Sequence, residues 1–130
     1  MGSVNERRLA KPVVILIDVV LVVVFCVIGR LSHASGILGD IPGTLGTIWP
    51  FLVAVLLAHA VVLFRRARLE RMLPGTVIWA ITVVVGLLLR ALGGQGTALP
   101  FIIVATLTLA LFLIGWRGIL ALIWRARRTR

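Results

Sequence analysis

Apolar residues in this chain fall in long unbroken blocks, not at alternate positions. Four blocks stand out, at residues 13–29, 48–64, 75–92 and from 98 to at least 116. Each holds roughly 17–20 residues, which as a helix crosses about 30 Å of hydrocarbon. Helices are required there, because lipid offers the backbone no hydrogen-bond partner. The two-residue alternation of a membrane β-barrel is absent. The pattern therefore predicts an all-α, polytopic membrane protein with four transmembrane helices. Residues 31–47 form a long Gly- and Ser-bearing connection, whereas Gly93-Gly94-Gln95-Gly96-Thr97 reads as a tight turn. After Gly115-Trp116-Arg117-Gly118 a further apolar piece follows at 119–124. The fourth helix either continues past the bilayer core or breaks near Gly118 and lies along the interface. Trp116 and Trp124 suit a membrane–water boundary in both cases, as do Trp49 and Trp79.

Composition narrows the picture. Hydrophobic residues make up 61% of the 130 positions and charged residues 14%, against about 25% charged in an average soluble domain. A small soluble domain has too much surface to be covered by so few polar groups. That excludes an ordinary soluble fold, a disordered chain and a disulfide scaffold. Cys26, the single cysteine, lies inside the first block and has no partner in its own chain.

The net charge of +10 acts first as a topology signal. Arg7, Arg8, Lys11, Arg65, Arg66, Arg68, Arg71, Arg117, Arg125, Arg127, Arg128 and Arg130 fall on one side, and only Arg30 and Arg90 on the other. The positive-inside rule then places both termini in the cytoplasm of a multi-pass cell-membrane protein. Residues 1–12 read as a basic cytoplasmic tail, 13–117 as the transmembrane domain and 118–130 as a basic cytoplasmic or interfacial segment. Insertion and anionic lipid headgroups account for these flanking charges, so no nucleic-acid partner is expected. A cleavable signal peptide ending at Ser32-His33-Ala34 is the competing reading of the first block. Its length, Asp18 and the following Arg30 favour a retained helix.

The halves resemble each other. Arg30 and Arg90 are sixty residues apart, as are the basic exits Phe64-Arg65-Arg66-Ala67-Arg68 and Trp124-Arg125-Ala126-Arg127-Arg128. Pro50-Phe51 and Pro100-Phe101 open the second and fourth blocks only fifty apart. A parallel repeat of two hairpins is one reading. Shared orientation alone, together with the preference of Pro for first turns, is the other.

The run Asp18…Gly29-Arg30-Leu31-Ser32-His33, then Trp49-Pro50-Phe51, then Leu89-Arg90-Ala91-Leu92-Gly93-Gly94-Gln95-Gly96-Thr97-Ala98 with Phe101, resembles an uncharacterised four-helix prokaryotic membrane family. That family is domain of unknown function 3054, common in actinobacteria. The resemblance covers residues 12–117. It implies the four-helix architecture and assigns no activity, cofactor or site.

Two groups of residues can carry chemistry. Asp18 and His59 are the only acidic residue and the only histidine inside a block, each about five residues from the cytoplasmic end of its helix. They should lie at similar depth, roughly 8 Å from that boundary at 1.5 Å per residue. They read as a proton relay, or as a polar clasp between two helices worth about 1 kcal/mol; Asp18 alone can also snorkel. Arg30 and Arg90 occupy equivalent outer ends. With Gln95, and with Thr97 as N-cap of the fourth helix, they read as a site for a phosphate or carboxylate. His33 can join it. Alternatively each arginine caps its helix, meets lipid phosphate or pairs with Asp40. Ser32, His33 and Asp40 share one loop, but nothing supports a catalytic triad. No catalytic, metal or cofactor constellation is found. Ala54/Ala58, Thr82/Gly86 and Thr106/Ala110 permit close helix approach.

Three functional readings follow. The first is a small transporter or flippase-like protein for an anionic solute or lipid headgroup. The second is a non-enzymatic subunit of a larger membrane complex. The third, an enzyme or cofactor carrier, lacks the residues it needs. The bilayer with its anionic lipids is the expected partner, together with further copies of the chain or another membrane protein.

Overall fold

The computed structural model describes residues 9–31, 39, 41–96 and 98–128. Four helices carry the described chain: α1 (Lys11–Leu31), α2 (Ile41–Phe64), α3 (Met72–Leu92) and α4 (Leu99–Arg128). Each is long and apolar enough to cross a membrane, and no strand occurs among the described residues. The protein is thus an all-α chain with four membrane-spanning helices.

Local chemistry sets the helix ends. Pro12, Pro42, Pro74 and Pro100 all sit in first turns, where the missing N–H has no intrahelical partner to lose. The α3 terminus closes as a Schellman motif, in which Gly94 N–H donates to Ala91 O and Gln95 N–H to Arg90 O. The motif puts Gly94 at φ +78°, a left-handed geometry that favours glycine. α2 ends in the same motif, with Arg66 N–H on Leu63 O and Ala67 N–H on Val62 O. There Arg66 takes the left-handed position at φ 57°.

Two features were not read from the apolar pattern. α2 begins at Ile41, seven residues before the apolar block at 48, so part of the expected outer loop is helix. A low-hydropathy turn such as Pro42-Gly43-Thr44 does not stand out in a hydropathy reading. α4 runs unbroken for 30 residues through Gly115 and Gly118, which decides between continuation and a break. Its ~45 Å length exceeds a ~30 Å hydrocarbon core. The boundary read at 117/118 falls inside this helix.

The helices form a ring in chain order. Each packs on its chain neighbours and α4 closes on α1, while α1 and α3, and α2 and α4, stand diagonally apart. The α2–α3 seam is the most extensive and the α1–α4 seam the thinnest. At the first, Phe51 packs so closely on Gly86 that a Cβ there would lie 2.5 Å from Phe51 Cδ1. Ala54, Ala58 and Thr82 are fully buried along this region. Phe25 meets Phe51 edge-on, with centroids 5.6 Å apart. Outward positions are apolar and open: Leu57, Leu107 and Leu111 are all exposed, as lipid contact requires. The chain's opposite poles are called here the basic end, with the α2–α3 connection and the end of α4, and the loop end.

Candidate functional site

A buried polar cluster lies toward the basic end. Asp18 sits on the four-residue stripe Val14, Asp18, Val22 and Cys26 that α1 turns inward, and is fully buried. His59 faces it from α2, with Nε2 2.7 Å from Asp18 Oδ2. The structure therefore brings together the two intramembrane residues singled out from the sequence. It adds two more. Arg117 Nη1 donates to Asp18 Oδ1 at 2.9 Å and Nη2 to Oδ2 at 2.6 Å, a bidentate pair between fully buried partners. Trp116 Nε1–H donates to Oδ1 at 2.8 Å.

Arg117 is held at its other edges as well. Nε donates to Leu69 O at 2.8 Å and Nη1 to Leu113 O at 2.6 Å. Its aliphatic stem passes over Gly75 of α3, where a Cβ would overlap Cδ and stand 2.6 Å from Nε. One carboxylate thus joins α1, α2 and α4, and the arginine that neutralises it packs on α3. The charges are compensated and hydrogen-bonded, which burial demands.

The His59 ring has an acceptor on each side. Nδ1 lies 2.7 Å from Val55 O, and the tautomer decides which ring nitrogen donates. Nε2 faces Asp18 Oδ2, already accepting from Arg117.

The sequence pattern groups Arg117 with the basic flank, yet its side chain is fully buried, and Trp116 beside it reaches Asp18 as well. A signal existed. Ala105, Leu109, Leu113 and Arg117 form one buried four-residue stripe of α4, so the α4 periodicity carried Arg117 inward. Trp79, read as an interfacial residue, likewise donates to Thr106 O of α4 at 3.0 Å.

The loop end holds the second group. Pro50 lies inside α2 and has no N–H for the carbonyl four residues earlier, that of Gly46. Gln95 Nε2 donates to Gly46 O instead, filling the gap from the α3–α4 turn. Arg90 fixes Gln95, with Nη1 donating to Oε1 at 2.9 Å. Arg90 Nε donates to Gly96 O at 2.7 Å, and its guanidinium lies 4.2 Å from the Phe101 ring centroid. Arg30, Arg90 and Gln95 line one cavity of about 750 Å³, walled by Phe25, Phe101 and Val104. Thr97, His33, Ser32 and Asp40 lie outside the described residues. Among the described residues no group of three His, Cys, Asp or Glu is placed to hold a metal ion.

No curated protein matches the chain, and no solved structure does. A family model described as "Protein of unknown function (DUF3054)" matches residues 15–120. That range includes the buried cluster and the lining of the loop-end cavity. With four apolar helices and a match over most of its length, the chain belongs to the DUF3054 family of proteins of unknown function.

Proposed function

We propose that the protein takes an anionic group, the phosphate or carboxylate of a solute or lipid headgroup, into the loop-end cavity and acts as a small transporter or flippase-like protein. The observation that carries this reading is the cavity itself. Arg30 of α1 and Arg90 of α3 come from diagonal helices yet line the same space, with aromatic walls beside them. Gln95 positions Arg90 at the rim and does not need to touch the ligand. The buried Asp18 cluster supports a clasp in preference to a proton relay. Asp18 accepts three hydrogen bonds from Arg117 and Trp116 and lies 2.7 Å from His59 Nε2, so passing a proton through its carboxylate means breaking the bundle's central tie.

The test uses purified protein in liposomes, following both radiolabelled phosphate uptake and the flip of labelled phosphatidylglycerol. Arg30→Gln should lower flux about tenfold or more, the scale of losing a charged hydrogen bond, in protein that remains helical by circular dichroism. Wild-type flux in Arg30→Gln and Arg90→Gln overturns the anion site.

A second reading is a non-enzymatic subunit of a membrane complex. The saturated cluster favours it, because its polar groups serve packing. Purification in mild detergent distinguishes the two: a stoichiometric partner protein supports the subunit, whereas a homogeneous single-chain assembly supports the transporter.

A further inference from the structure

The basic end has its own cavity, of about 940 Å³, between the start of α3 and the last turns of α4. Four arginines line it: Arg68, Arg71, Arg125 and Arg128. Among the described residues only one carboxylate, Glu70, joins them, and it is occupied by Arg68 at 2.9 Å. Arg71, Arg125 and Arg128 therefore bring about three positive charges that no acid in the cavity offsets. Arg71 is the N-cap residue of α3. Arg125 and Arg128 stand three residues apart, so they share one face of α4. Like charges gathered from two helices repel one another, and an anion between them removes that repulsion.

The rest of the cavity is apolar. Trp124 lines it, with Leu73 and Ala121, and Leu73 is 75% exposed. Earlier along α4, Ile119 and Leu122 are also exposed. Charge and grease are stacked along the helix in the order a phospholipid presents them. About 20 residues of α4 fill a ~30 Å hydrocarbon core, so a span counted from Leu99 reaches its boundary near Gly118. Arg125 and Arg128 then stand at headgroup level, with Trp124 in the interfacial belt.

We propose that this cavity is a specific binding site for the phosphate of an anionic phospholipid, held by Arg71, Arg125 and Arg128 with its acyl chain against Leu73 and Trp124. A defined basic cavity between helices differs from diffuse attraction of basic flanks to a charged surface. The site lies at the opposite pole from the loop-end cavity and stands or falls separately from it. Free phosphate shares the headgroup chemistry but lacks anything to place against the apolar wall.

The experiment compares two triple variants of the full chain in phosphatidylcholine nanodiscs doped with phosphatidylglycerol. One is Arg71→Gln/Arg125→Gln/Arg128→Gln. The other is Arg65→Gln/Arg66→Gln/Arg127→Gln, which removes the same charge from residues that do not line the cavity. Native mass spectrometry reads the lipid retained, and circular dichroism in lipid-free detergent checks that both variants are helical. Wild type and the control triple should retain about one phosphatidylglycerol per chain. The cavity triple should lose it, at about fivefold in affinity for each arginine removed. Equal loss in both triples shows diffuse attraction and overturns the site. Inorganic phosphate that displaces the lipid at low millimolar concentration, or raises the melting temperature as much as the lipid does, also overturns the lipid assignment.

Discussion

Replacing Asp18 with Asn keeps the side chain's size and removes its charge. Arg117 would then be a buried cation without a counter-ion, facing an amide N–H. Breaking a buried pair from one side costs about 3–5 kcal/mol. Asp18→Asn should therefore lower stability by that order in an equilibrium unfolding assay in detergent micelles. Asp18→Leu/Arg117→Met should lose markedly less than the two single variants combined, since it removes both charges; additive losses would show that the two residues do not act as a pair. Gly75 belongs to the same cluster. Gly75→Ala forces its methyl against the Arg117 stem, and overpacking of this kind costs about 1–3 kcal/mol. In an Arg117→Ala background the added methyl should cost close to nothing. An unchanged penalty there would place the clash elsewhere. Asp18 and His59 were legible in the sequence because polar residues stand out inside apolar blocks. Arg117 was not, because a basic residue near a basic tail looks like part of the tail.

Pro50 and Gln95 show how one helix depends on a turn between two others. Gln95→Ala leaves Gly46 O without a partner, which should cost about 1–3 kcal/mol. Pro50→Ala restores an N–H at residue 50 that can reach Gly46 O within α2. In that background Gln95→Ala should be nearly silent, as measured by melting temperature; a full-size loss would mean that Gln95 stabilises the turn by another route. From the sequence, Gln95 reads as an anion ligand beside Arg90. The turn was legible from its glycines. The role of the amide depends on a proline 45 residues earlier, which no local pattern connects to it. The sixty-residue offset behaves differently. It relates Arg30 to Arg90, but it sets Ile78 and Ile119 opposite Asp18 and His59, so that offset pairs neither with a polar residue.

Four spans put both termini on one side of the membrane, and we propose from the arginine bias that this side is the cytoplasm. Reporter fusions at residues 1 and 130 should both read as cytoplasmic, and one inserted after residue 94 as external. A single external terminus would remove either a span or the orientation. Arg117 no longer counts as a solvated flank charge, yet the remaining basic residues leave the bias intact. The number of spans, and their limits to within a turn or so over most of the chain, follow from the sequence alone. Each is decided between one segment and the lipid, by the transfer of some twenty apolar side chains, before any helix meets another. Which polar groups meet inside is a property of the tertiary structure. Asp18 and Arg117 are separated by 99 positions, and Gln95 and Gly46 by 49. Such pairs are set by how each helix rotates about its axis when the small residues of the seams let the backbones close, and that rotation is written in the packing of all four helices together.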